Sequence, residues 1–214
     1  MRMNPGTTAG CGPEPYGSTG EGMTMETVAS ILIGIGLSAT CGFRVFVPLL
    51  VMSIAGHLNL LELSSTFAWI GTTPALIAFG VATVVEILAY LIPLLDNALN
   101  AVTVPLTVVA GTVITAAVLL DLNPFLTWTL AVIAGGGASL AGSAASNLLH
   151  GGSTATTGGA ANPFLSAVES VFSVVMAVLS VLVPVLAVVL LSLLLIFGIR
   201  LLKRTGLIRR RRTA

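Results

Sequence analysis

Residues Gly34 to Pro48 read GIGLSATCGFRVFVP, and their reading decides what kind of chain this is. The stretch lies inside an apolar run from about Val28 to Ala55, and Arg44 in its middle is the only Lys or Arg between Arg2 and Arg200. A charge at hydrocarbon depth costs roughly 2.5–3.5 kcal/mol on insertion scales, so it needs a partner, a water-filled cavity or lipid headgroups. Gly34, Gly36 and Gly42 before it and Pro48 after it weaken a straight helix at the same place. Broken backbone at membrane depth is tolerated only where protein buries it or a cavity solvates it. The stretch therefore reads as a broken or re-entrant segment that presents Arg44 to something. At about 1.5 Å per residue the whole run is too long for one upright crossing. That leaves one strongly tilted helix or two arms meeting near Gly42.

The rest of the composition agrees with a membrane setting. The chain is 56% hydrophobic and 8% charged over 214 residues, and its mean hydropathy is +1.05. A soluble domain carries about 25% charged residues. The length suits one all-α helix bundle, residues 25–202, of about five or six spans at roughly 20 apolar residues each. Most of the nine Lys and Arg residues crowd the C-terminus: Arg200, Lys203, Arg204 and the run Arg209 to Arg212. By the positive-inside rule that end, with its basic tail 203–214, is cytoplasmic. The run also suits anionic lipid headgroups and is too short to argue for nucleic acid. Cys11 and Cys41 give no disulfide framework or metal-ligand spacing, and no zinc, haem or nucleotide motif is present, so no cofactor is expected. His57 and His150 each follow an apolar segment and read as interfacial.

Residues 1–24 are rich in Gly, Pro, Thr and Glu and read as a disordered tail, with Met23 or Met25 as alternative starts. They hold no apolar h-region of a signal peptide. After the first segment, 57–73 reads as an interfacial loop with Glu62 and the amphipathic anchor Trp69. A second span runs from about Pro74 to Ile92, with Glu86 one turn before Tyr90 on the same face. Pro93 and Asp96-Asn97 make the next turn. A third span, about Ala101 to Leu120, carries small residues and threonines suited to close helix contact, and Asp121, Asn123 and Pro124 close it. From Ala134 to Pro163 the chain reads AGGGASLAGSAASNLLHGGSTATTGGAANP. Its Gly, Ser and Thr content suggests a small-residue helix packed on neighbours, followed by a loop lining a cavity. The run Phe164 to Leu202 is either one kinked helix or two spans turning at Pro184.

An offset of 101 residues places Gly34, Gly36 and Ser38 on Gly135, Gly137 and Ser139, each followed by a proline-bracketed helix. Interrupted Gly/Pro-rich segments at matching positions point to a transporter binding site and an inverted repeat; chance alignment of Gly-rich helices is the alternative. Glu62, Asp96 and Asp121 fall at span ends. Arg44, Glu86 and Glu169 remain as intramembrane candidates. Either Arg44 and a glutamate form a structural pair, or Arg44 binds an anion through its fork of donors and Glu86 or Glu169 couples a proton or cation. Ser38 and Thr154 are candidate hydroxyl contacts to the same ligand, beside Thr72, Thr73, Ser153, Thr156 and Thr157. No Ser/His/Asp or Cys/His arrangement supports an enzyme.

Three motifs carry a resemblance. GIGLSATCGFRVFVPLL (34–50), EILAYLIPLLDNALN (86–100) and GGSTATTGGAANP (151–163) resemble, in matching order, the bacterial domain-of-unknown-function family 4126. The resemblance covers about Met25 to Leu202 and implies a small multipass inner-membrane protein with no established activity to carry over. More loosely, Arg44-Val-Phe-Val-Pro48 is similar to the Arg-x-x-x-Pro turn of small multidrug exporters and to the re-entrant hairpins of DedA-type membrane proteins. Those motifs often place an acidic residue just before the arginine; here Gly42 and Phe43 stand there. The expected function is a small transporter of an anionic solute or lipid headgroup, centred on Arg44 with broken segments at 34–48 and 135–160. The rival is a non-transporting scaffold or accessory subunit whose small-residue helices form an oligomer interface.

Overall fold

The computed structural model describes residues 25–90, 93–120 and 122–204. The tail 1–24, Asp121 and the basic run Arg209–Arg212 lie outside the described residues. Among the described residues the chain is helical, with no strand: α1 (Met25–Cys41), α2 (Phe46–His57), α3 (Thr73–Tyr90), α4 (Pro93–Val118), α5 (Pro124–Leu130), α6 (Gly137–Thr157), α7 (Asn162–Leu182) and α8 (Pro184–Arg204). A 3-10 stretch, Ser65–Gly71, precedes α3, and a π-helical turn, Ala131–Gly136, joins α5 to α6. Three of these helical lengths are long and apolar enough to cross a membrane: Thr73–Tyr90, Pro124–Thr157 and Asn162–Leu182. Met25–Cys41 and Phe46–His57 are apolar but shorter, and the stretches Thr103–Val118 of α4 and Pro184–Phe197 of α8 are apolar as well.

Prolines set most of the boundaries. Pro48 stands in the first turn of α2. A helix running through it would drive its ring against the carbonyl four residues back, which is that of Arg44, and the chain leaves helical pairing between Cys41 and Phe46. The apolar run is thus two arms meeting just after Gly42. Pro93 and Pro184 open α4 and α8, positions where a missing N–H costs nothing. Val183, before Pro184, is pushed out of the helical region to φ −141, ψ 74, as the residue before proline commonly is. The run 164–202 is therefore two helices. Asp96 and Asn97, expected in a turn, lie in the first turns of α4.

The second glycine-rich stretch departs from expectation. Pro124–Thr157 is one helical length of 34 residues, irregular only at its π turn. With no proline between Pro124 and Pro163, nothing forces it apart; a helical glycine costs about 1 kcal/mol and does not by itself break the helix. The small-residue helix is as expected, but the broken segment expected at 135–160 stays helical to Thr157, and the stop comes at Gly158 and Gly159, at φ 65 and 89, the left-handed end that glycine permits.

α1 runs through the middle, against α4, α6, α7 and α8. Leu37, Cys41, Val45, Leu49 and Met52 of the two arms form the core with Ala110, Ile114, Ala117 and Val118 of α4. Where α1 ends, it meets α6 backbone to backbone: a Cβ on Gly42 would overlap the main chain of Gly142 and Ser143, and one on Gly142 would overlap the Ala39 carbonyl. The exposed surface is apolar. On α7, Val168, Val171, Val174, Val175, Val178 and Leu182 face outward, while Ser166, Glu169, Ser170, Ser173 and Ser180 are buried. Such an inverted helix places its valines in lipid or against a partner, and the apolar helices are compatible with a membrane protein.

Candidate functional site

The break between α1 and α2 leaves backbone donors without helical partners. Two are met from another helix: Val45 N–H donates to Glu86 Oε1 at 2.7 Å and Phe46 N–H to Glu86 Oε2 at 3.0 Å. Glu86, buried on α3, thus holds the start of α2 with both carboxylate oxygens. At the other side of the break Thr107 Oγ1 of α4 donates to the Cys41 carbonyl at 3.3 Å, and Thr40 Oγ1 folds back on Gly36 O at 2.7 Å. Hydrogen bonds to charged groups contribute about 1.5–3 kcal/mol each, enough to hold a break that the backbone alone would close.

Arg44 is 1% exposed. Its Nε donates to Ser170 Oγ at 3.0 Å and its Nη2 to the Ser166 carbonyl at 2.8 Å, both on α7. Its Cζ stands 4.0 Å from the centroid of the Tyr90 ring, the geometry of a cation–π contact. Phe43 beside it packs edge-on against Phe172 of α7 at 5.2 Å. Nη1 of Arg44 is buried and has no hydrogen-bond partner among the described residues. Buried and partnerless in the same way are the hydroxyls of Ser166 (whose carbonyl Arg44 holds), Thr83 (one turn before Glu86), Ser143 (against Gly42) and Ser173. A buried donor left unpaired costs about 1–3 kcal/mol, so a free Nη1 on a guanidinium this deeply buried is unusual for a packed core.

Of the two alternatives for Arg44, a direct ion pair with Glu86 does not form. The carboxylate is used by the start of α2, and the guanidinium is turned to α7 and Tyr90; the two share no hydrogen bond. Glu169, the other buried carboxylate, faces α6, where Ser146 Oγ donates to Oε1 at 2.9 Å and His150 Nε2 lies 3.1 Å from Oε2. His150 is therefore a buried partner of Glu169.

Ser38 and Thr154 do not join the site. Ser38 Oγ donates to Gly111 O at 2.7 Å and meets Thr115 Oγ1 at 2.9 Å, tying α1 to α4. Thr154 is exposed near the end of α6 and accepts from Asn162 Nδ2 at 3.1 Å. Tyr90, Ser166, Ser170 and Ser146 are the site residues that motif reading missed. Their signal was present: Ser166, Glu169, Ser170 and Ser173 recur at helical spacing along one face of an otherwise apolar helix. Among the described residues no group of three or more His, Cys, Asp and Glu is placed to hold a metal ion.

The family described as "Domain of unknown function (DUF4126)" matches residues 31–204. No curated protein and no solved structure matches the chain.

Proposed function

The chain belongs to that family, and on this footing we propose that it is a small transporter-like membrane protein that receives an anionic group at Arg44. The observation that carries the reading is the buried Nη1 of Arg44, which has no hydrogen-bond partner among the described residues, together with the partnerless hydroxyl of Ser166, whose own carbonyl the same guanidinium grips. Arginine presents its donors as a planar fork suited to carboxylate or phosphate, and an oxyanion here meets Nη1 and the Ser166 hydroxyl together. The source of the anion is a free solute or a lipid headgroup. α1 and α2 are about 25 and 18 Å long at 1.5 Å per residue, each short of the roughly 30 Å hydrocarbon core. That favours a broken or re-entrant arm pair among five or six crossings. The contact of Gly42 with Ser143, its mate at the 101-residue offset, supports an inverted repeat whose axis passes through that contact. The C-terminus lies on the cytoplasmic side of a bacterial inner membrane, by its basic residues.

The second reading is a non-transporting scaffold. It is favoured by the two hydrogen bonds and the ring contact that Arg44 makes inside its own chain. Arg44→Lys separates the two, because it keeps the charge and loses the fork. With the purified full chain in phosphatidylcholine nanodiscs, sulfate binding is measured by equilibrium dialysis. Phosphatidylglycerol binding is measured in the same discs doped with that lipid. The anion reading expects one of the two to fall at least ~10-fold in Arg44→Lys at unchanged melting temperature. Sulfate identifies a solute and phosphatidylglycerol a headgroup. Unchanged binding of both, with a lowered melting temperature, establishes the scaffold.

A further inference from the structure

The two buried glutamates are held in different ways. Glu86 has both oxygens committed to the backbone N–H groups of Val45 and Phe46, so a proton arriving there disrupts the start of a helix. Glu169 is held by side chains alone, Ser146 at 2.9 Å and His150 at 3.1 Å. A hydroxyl can rotate, and imidazole is the side chain that exchanges protons near neutral pH. Both members of the pair are buried, with side chains 7% and 6% exposed.

We propose that Glu169 and His150, oriented by Ser146, form a proton-binding site coupled to occupancy of Arg44 by an anion. The coupling rests on the anion reading; the titration of the pair stands apart from it. Glu169 lies between Ser166 and Ser170, the two residues of α7 that Arg44 grips. One turn of helix therefore carries the contacts of both sites. An anion drawn to Nη1 brings negative charge into a medium where charges interact strongly. One proton added to the pair offsets it, and each event favours the other by the same free energy. The proton comes from hydronium, leaving water. It forms one N–H or O–H bond on the pair and returns to water when the anion leaves.

The route to water is short. His150 lies seven residues before the end of α6 and Glu169 seven after the start of α7. Both are about 10 Å from the connecting turn at 1.5 Å per residue. Thr154, Thr156 and Thr157 are exposed along that last stretch. The other charged or titratable residues on elements packed against α6 and α7 are Glu26 and Cys41 of α1, Arg44, His57 of α2, Glu86 and Tyr90 of α3, Asp96 of α4 and Arg200, Lys203 and Arg204 of α8. Of these, Arg44 is bonded to the turn of α7 that carries Glu169.

Two readouts on the full chain in phosphatidylcholine nanodiscs test this. The sequence has two histidines, so 15N-imidazole NMR gives two ring systems, assigned with His57→Gln. The His150 ring signals are expected to change with pH. Their midpoint should move by about one unit or more in Glu169→Gln and stay in Glu86→Gln. A flat His150 signal, or one indifferent to Glu169→Gln, overturns the pair as a proton site. In weakly buffered solution, sulfate (a dianion with no proton of its own to exchange here) should bind with uptake of about one proton. Glu169→Gln and His150→Gln should bind sulfate without that uptake. Uptake that persists in both variants overturns the coupling. Failure of the wild-type chain to bind sulfate tells against a solute at Arg44 and overturns the coupling in this form, while the NMR readout still decides the pair.

Discussion

Between Gly34 and Pro48 the chain stops being a helix; between Gly135 and Thr157, with more glycine, it continues as one. The difference lies in what surrounds the glycines. In the first stretch a continuous helix would drive the Pro48 ring against the Arg44 carbonyl, and Glu86 on a neighbouring helix accepts the donors that the break releases. In the second there is no proline, and the glycines serve contact: Gly142 on the Ala39 carbonyl and Gly135 on that of Gly111. Glycine lowers the resistance to breaking, but a proline clash and a partner for the freed N–H groups are what produce a break.

The comparison can be broken most severely at the point where the two stretches touch. Gly142→Ala puts a methyl into the Ala39 carbonyl, a main-chain atom that cannot rotate away. We expect a loss of about 3 kcal/mol, the upper end for overpacking, read as a lowered melting temperature and a dispersed gel-filtration profile. Glu86→Gln comes next. An amide in place of the carboxylate can accept from one N–H but turns its own NH2 on the other, so about 2 kcal/mol should be lost. Faster hydrogen exchange at Val45 and Phe46 is the local signature; unchanged exchange there would mean that Glu86 does not hold the break.

Pro48→Ala sharpens the argument by removing the clash while leaving the clamp. The break should persist at a cost below about 1 kcal/mol, because Glu86 still takes both donors. A helix that closes through residues 42–45 in the variant, seen as new exchange protection, would assign the break to proline alone. The smallest effect is expected where a glycine touches nothing. Gly151 on α6 has no atom within 4 Å of a built Cβ. Gly151→Ala should therefore stabilise by about 0.5–1 kcal/mol, a rise in melting temperature that sets the zero of the series.

Much of the break was legible because it rests on local chemistry. Arg44, Pro48 and the shared face of Glu86 and Tyr90 can be read along the chain, whereas at Pro184 the sequence left a kink and a turn equally open. The fate of 135–160 was misread because glycine and hydroxyl content stood in for the missing proline. The residues that meet Arg44 were hidden for another reason. Ser166 and Ser170 lie far along the chain from it, and no local pattern says which helix an arginine will lean on. His150 looked interfacial since it ends an apolar run. Only the packing of α6 on α7 sets it opposite Glu169. Ser38 has the residue type the site would need, but the turn of α1 it occupies faces α4.

The clamp on the break has a consequence for how the chain is made. Val45 and Phe46 emerge from the ribosome well before Glu86, the group that accepts from their N–H donors. In a bilayer each unmet donor costs several kcal/mol, so the first arm pair cannot settle in lipid on its own. It must wait, sheltered by insertion machinery or in the headgroup layer, until α3 arrives. One side chain thereby fixes an order of assembly: the third helix in sequence completes the first two, and a nascent chain halted before residue 86 is left without a stable resting place.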